Sequence, residues 1–278
     1  MHASCLCGDV SWDVEGPLLS LSHCHCSRCR KQHGTAFGSY VMTPASGFQL
    51  HGEAHVSRWE SSPGFFRRFC SHCGSTVPGA PQQGFAVVPA GNFDGDPGIR
   101  PKVHIFVASK APWYEIPDAL PRFDAFPPGF DAALLPDRPH AHTGDAVHGS
   151  CGCGAVAFEY TGEPILCRNC HCGRCQKARS AAHASNLGVK LAQLRFTRGE
   201  DRLVLYKVPE ARFFAQAFCR GCGGKLPRVD ASRDLAVVPL GALDDDPRVR
   251  PSEHIFVGSK APWFEIADAL PQHAEYAS

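Results

Sequence analysis

The sequence predicts a mainly β protein, built as two domains of short strands and many turns, each stabilised by zinc. Three observations carry this. The second half of the 278 residues repeats the first. Apolar runs are short and bounded by turn residues, in a chain with 27 Gly and 23 Pro. The 15 cysteines stand in spaced sets that suit metal better than disulfides.

The repeat sets the domains. "CLCGDVSW" (Cys5 to Trp12) returns as "CGCGAVAF" (Cys151 to Phe158), and "FCSHCGS" (Phe69 to Ser75) as "FCRGCGG" (Phe218 to Gly224). "HIFVASKAPWYEIPDALP" (His104 to Pro121) returns as "HIFVGSKAPWFEIADALP" (His254 to Pro271). The reading is a domain over 1–121, a linker over 122–146 and a second domain over 147–278. The linker carries Pro127, Pro128, Pro136 and Pro139, a semi-rigid composition, and its Phe126, Phe130, Leu134 and Leu135 are apolar enough to pack on a domain. Each domain is long enough to bury a core.

Strands come first in the local reading. "FAVVPAG" and "RLVLYKV" are short apolar runs bounded by turn residues. "KVHIFVASK" alternates Val103, Ile105 and Val107 against His104, Phe106 and Ala108, the pattern of a two-sided strand. Helical signal is confined to the residues after each three-cysteine cluster and to "EIPDAL".

Bulk properties exclude several classes. Hydrophobic content of 44% and charged content of 20% fit a globular protein. No run of about 18 apolar residues suggests a membrane span. The start, "MHASCLCGDV", has no basic stretch followed by an apolar one, so a cytoplasmic location is expected. A formal net charge of +1 offers no surplus for phosphate, and loading thiolate sites with metal makes the chain more negative. No nucleic-acid partner is expected.

The cysteines fall into two kinds of set. Cys5, Cys7, Cys70 and Cys73 in the first domain, and Cys151, Cys153, Cys219 and Cys222 in the second, pair a C-x-C with a distant C-x-x-C-G. Four thiolates saturate a zinc ion and make a closed, structural site. Cys24, Cys26 and Cys29, then Cys170, Cys172 and Cys175, are sets of three. Three protein ligands leave a fourth place for water or substrate, as at a catalytic zinc. Three thiolates make the metal a weak Lewis acid, better suited to a fourth soft ligand such as a thiolate. The expected cofactor is Zn2+, two ions per domain and four per chain. Cys167 has no counterpart, since Leu21 stands at its place.

An added thiolate needs nearby cations. Arg28, Arg30 and Lys31 adjoin the first cluster, and Arg174 and Lys177 the second. Lys110 with Trp113, and Lys260 with Trp263, are candidate anion-binding pairs or simply pack a strand end. Arg30, Lys31, Lys110 and Trp113 are the candidate ligand-binding residues. His25 and His171 stand between ligand cysteines, as zinc ligands, as neighbours of the site, or pointing away. His104 and His254 read as strand histidines satisfied by a backbone group.

Together these motifs resemble the family of glutathione-dependent formaldehyde-activating enzymes, which also includes centromere protein V-like proteins. The match is C-x-C-G, C-H-C-x-x-C, F-C-x-x-C-G and a final H-I-F-x-x-S-K-A-P-W, and it covers nearly all of both copies. The resemblance implies two Mss4-like domains of short curled antiparallel sheets, a structural zinc on each four-cysteine set and a catalytic zinc on each C-H-C-x-x-C set. It also implies carbon–sulfur lyase chemistry, in which glutathione adds to formaldehyde to give S-hydroxymethylglutathione. Cys24, Cys26, Cys29, Cys170, Cys172 and Cys175 then belong to catalytic sites. The small-molecule partners are a low-molecular-weight thiol and an aldehyde. A thiol carrier without catalysis and a zinc-stabilised interaction module are the competing readings. Gln176 in place of Arg30, and Ser180 in place of Gly34, mark the second copy as the weaker thiol site.

Overall fold

A computed structural model describes residues 1–129 and 144–276. It is mainly β, with six small sheets and, among the described residues, two seven-residue α-helices. In the first copy, strands His2–Ser4, Ser11–Val14 and Phe48–His51 form one sheet. A second sheet runs in the order Val103–Ile105, Ser20–Cys24, Gly38–Pro44, Phe85–Pro89. Only its first pair is parallel. A third joins Val56–Ser62, Phe65–Cys70 and Thr76–Val77. The second copy repeats this layout and adds Arg228–Asp230 at the edge of its central sheet.

Helix α1 (Ser27–His33) follows the first three-cysteine strand and α2 (Gly173–Arg179) the second. Each ends on a left-handed residue. Gly34 is suited to that conformation, whereas Ser180 adopts it at φ 54°. The "EIPDAL" segment is not helical. "KVHIFVASK" is a strand only over Val103–Ile105. Phe106 then takes φ 59°, and Phe256 does the same in the second copy. A left-handed phenylalanine costs about 1–2 kcal/mol. Phe106 is held there because its N–H donates to Ala125 and its ring meets Phe126 edge-on at 4.7 Å.

That contact moves a boundary. Residues 122–126 run alongside His104 as 272–276 run alongside His254, so the repeated unit continues past Pro121 into the expected linker. Phe130, Leu134, Leu135, Pro136 and Pro139 lie outside the described residues.

The two copies exchange their C-terminal tails. Trp113 and Ala111 of the first copy are buried in the core of the second, with Phe158, Leu187 and Val238. Trp263 and Ala261 lie in the core of the first, with Trp12, Leu21 and Val88. Trp113 and Trp263 are each 2% exposed. Exchange makes each core depend on the other half of the chain. Trp113→Ala is therefore expected to cost about 3–5 kcal/mol. Thermal melting should show one cooperative transition moving down as a whole. A variant that melts in two steps, with the first half unchanged, would contradict interlocking.

Candidate metal centres and thiol site

The four-cysteine sets assemble as the spacing predicts. In each, the four Sγ atoms lie within 4.8 Å of one another. Cys5 and Cys7 sulfurs are 3.4 Å apart, Cys7 and Cys70 3.6 Å, Cys151 and Cys153 3.5 Å, Cys153 and Cys219 3.8 Å. Four sulfurs at 2.3 Å from zinc would stand about 3.8 Å apart, so the donor set fits a tetrahedral ion. The second cysteine pair of each set sits on a tight turn through Gly74 or Gly223, at φ 74° and 71°. A Cβ on Gly74 would fall 2.5 Å from the Phe218 ring, so glycine is required by packing as well as by φ.

The three-cysteine sets also close. Cys24, Cys26 and Cys29 form one group within 4.8 Å, and Cys170, Cys172 and Cys175 another. Cys24 ends its strand, Cys26 caps α1 by accepting the N–H of Cys29 at 3.4 Å, and Cys29 lies in the first turn. Among the described residues no fourth Cys, His, Asp or Glu joins either group. His25 and His171 are thus neighbours and not ligands in this geometry.

Those two histidines are held by a relay that sequence reasoning missed. His25 Nε2 meets His104 Nδ1 at 2.8 Å, and His104 Nε2 meets the Asp118 carboxylate at 3.0 Å. His171, His254 and Asp268 repeat the relay at 2.8, 3.0 and 3.1 Å. Burial pushes His25 down to about 3, with the charges of Lys110 and Arg30 adding to this, and burial lowers His104 as well, so both rings are read as neutral at pH 7. An ionised Asp118 only accepts. His104 must then donate through Nε2 and accept through Nδ1, so His25 donates through Nε2. His25 Nδ1 is left as a buried acceptor without a partner, as is His171 Nδ1. The relays approach each other at a cavity of 20 Å³ between the copies, lined among others by His23, Asp118, His183 and Asp268. That is room for about one water.

The two three-cysteine sites differ in what faces the sulfur. In the first copy Arg67 directs Nη1 and Nη2 at Cys29 Sγ, both at 3.6 Å, and the Tyr40 hydroxyl stands 3.6 Å from the same sulfur. His33 backs Tyr40 at 2.7 Å, and its other nitrogen meets the Arg179 carbonyl of the second copy at 2.6 Å. Hydrogen bonding to Cys24 and Cys26, with the Arg67 charge beside it, holds the Cys29 thiol well below its usual range. In the second copy Gln216 stands where the first has Arg67, and Asn186 where it has Tyr40. Gln216 turns away and donates to the Cys73 carbonyl at 2.9 Å. Phe214, Phe256 and Ile255 pack around Cys170 and Cys175, and the charges of Arg179 and Arg228 act on Cys175, but neither guanidinium hydrogen-bonds its sulfur as Arg67 does that of Cys29.

Two expected ligand-binding residues are corrected. Lys31 faces the other copy. Its ammonium donates to Ser150 O at 2.8 Å and Ser150 Oγ at 3.0 Å, and pairs with Asp244 at 2.5 Å. Lys177 makes the mirror contacts, with Ser4 at 2.7 Å and Asp94 at 2.6 Å. These lysines bolt the helices across the interface and are not free to meet a ligand. Trp113 is likewise spent in the opposite core. Lys110 closes its own turn, donating to the Tyr114 carbonyl. Arg30 is half-buried on α1. The charges of Arg30 and Lys110 both act on His25, which keeps these two residues at the edge of the site.

The model of the glutathione-dependent formaldehyde-activating enzyme family matches twice, over residues 1–109 and 146–259. The chain belongs to this family. Membership supports a role involving glutathione and formaldehyde, and the four cysteine sets are places where metal ions can be held. A crystal structure of a Rhodobacter sphaeroides protein, a structural-genomics target, is 29% identical, covering 36% of this chain and 92% of its own, with a TM-score of 0.29. No curated protein matches the chain. Among the described residues, no helix of this family member is long and apolar enough to cross a membrane.

Proposed function

We propose that the protein is a zinc-dependent carbon–sulfur lyase acting on a low-molecular-weight thiol of the glutathione type and an aldehyde such as formaldehyde. The reading has one domain over each copy and four zinc ions per chain, two structural and two at the three-cysteine sets. The observation that carries it is the contrast at the sulfurs. Among the described residues, three cysteines form a group with no fourth protein ligand, and at Cys29 a half-buried guanidinium and a phenol face the sulfur.

Zinc held by Cys24, Cys26 and Cys29 would supply a place for a fourth soft ligand, the substrate thiolate. The chain does the rest. Arg67 offsets the charge that a fourth thiolate adds, and Arg30 and Lys110 add positive potential at the edge. Tyr40, backed by His33, fixes the direction of Cys29. In the reaction, thiolate sulfur bonds to the aldehyde carbon, the carbonyl π pair moves to oxygen, and that oxygen takes a proton. The thiol's own proton leaves on ionisation, so thiol plus aldehyde equals adduct. Holding sulfur and aldehyde together is the main source of rate. The described cysteines are free thiols, which suits a reducing, cytoplasmic setting.

The test is the rate of S-hydroxymethylglutathione formation, and of its cleavage, with zinc-loaded full-length protein against the uncatalysed reaction. Acceleration that is lost in Cys26→Ser is expected. A rate no faster than free thiol and aldehyde, with thiol still bound, would make the protein a carrier.

A further inference from the structure

We propose that Lys225 is the shared counter-charge of the two four-cysteine centres, and that it stabilises bound metal at both. Lys225 is fully buried, at 0% exposure. It lies on the short strand Lys225–Leu226, three residues after Cys222. Its ammonium donates to the Gly74 carbonyl and, at 3.0 Å, to the Gly223 carbonyl. These two glycines occupy the same place in the two copies, each directly after the last cysteine of its four-sulfur set. The lysine therefore bridges the pseudo-symmetric turns that present Cys73 and Cys222. Thr76 stands at its place in the first copy, so one lysine serves both sides.

A buried ammonium is expected to be paired with a carboxylate. Lys31, the other buried lysine of the interface, has Asp244. Lys225 has no acidic partner among the described residues; it has two neutral carbonyls. Burial, with the Arg179 charge beside it, pushes the ammonium down to about 7, while the sulfurs of Cys73, Cys222 and Cys70 hold it up. So the negative charge in its field comes from both sulfur sets. A divalent ion on four thiolates carries net −2, and two such centres repel each other across the interface. One cation between them attracts both and so favours the loaded state of each. The inference rests on metal occupancy of the four-cysteine sets and is independent of the lyase reading.

The experiment replaces Lys225 in the full-length chain by methionine, which removes charge and donors, and by glutamine, which keeps donors for the two carbonyls. Cadmium-113 spectra separate the four-sulfur from the three-sulfur centres, and the readout is the rate at which a chelator strips each. Both variants are expected to lose metal about tenfold faster, or more, from both four-sulfur centres. Unchanged rates in both would overturn the proposal. So would acceleration at one centre only, since the charge would not be shared. So would Lys225→Gln behaving as wild type while Lys225→Met does not, since Lys225 would then act as a hydrogen-bond clamp. If Lys225→Met fails to fold, Lys225→Gln decides alone.

Discussion

Replacing Arg67 by glutamine is expected to weaken thiol binding at Cys24, Cys26 and Cys29 by roughly ten- to a hundredfold. Arg67 directs two donors at a single acceptor, Cys29 Sγ, both at 3.6 Å, and such a charged hydrogen-bonding contact is taken as about 1.5–3 kcal/mol in all. Each 1.4 kcal/mol is about a factor of ten in affinity. The charge matters in the same direction, because a site that already holds three thiolates must accept a fourth. Glutamine is a fair test, since Gln216 occupies the same place in the second copy and is buried there. Equilibrium binding of glutathione to the zinc-loaded chain reads the effect. Metal content should stay unchanged. If affinity stays within twofold of wild type, Arg67 does not support the fourth ligand and the asymmetry of the copies has another meaning.

The second large effect separates structural from reactive sulfur. Cys70→Ser should remove the metal from the first four-cysteine centre. Cys70 ends the strand Phe65–Cys70 and is fully buried, so metal there ties that strand to the N-terminal segment carrying Cys5 and Cys7. Zinc binding at such sites is worth on the order of 10 kcal/mol in folding. The exchanged tails spread the loss to the whole chain, so the cooperative melt should disappear or fall by tens of degrees. Cys26→Ser should leave the fold intact. Serine is a good N-cap and keeps the bond from the Cys29 N–H, while losing the soft ligand. Equal melting losses in the two variants would show that both kinds of site are structural.

Much of this was legible in the sequence. The repeat and the cysteine spacing mark the fourteen cysteines that the structure gathers into four sets, because spacing within a C-x-C or C-x-x-C turn is a local property. The short helix after each cluster was legible for the same reason. The two-sided strand ended early because Phe106 turns left-handed to meet residue 126, which alternation of apolar residues does not reveal. Lys31 and Trp113 were assigned to a ligand because their partners are far away in the chain. Asp244 and the second core are visible only once the copies are interlocked. Arg67 and Tyr40 reach Cys29 from separate strands, so nothing local marks them. The histidine relay did leave a trace. An aspartate follows His104 at Asp118 and His254 at Asp268, fourteen residues on in each copy, within the best-preserved stretch of the repeat.

Calorimetric titration of glutathione into zinc-loaded, full-length protein, repeated in buffers of different ionisation enthalpy, tests the central claim most directly. One thiol should bind tightly per chain, with about one proton released, because the thiol must ionise to act as a ligand. Binding should vanish in Cys26→Ser and persist in Cys172→Ser. No thiol uptake at any concentration below the millimolar range, with the three-cysteine metals retained, would contradict the account and leave a metal-stabilised interaction module.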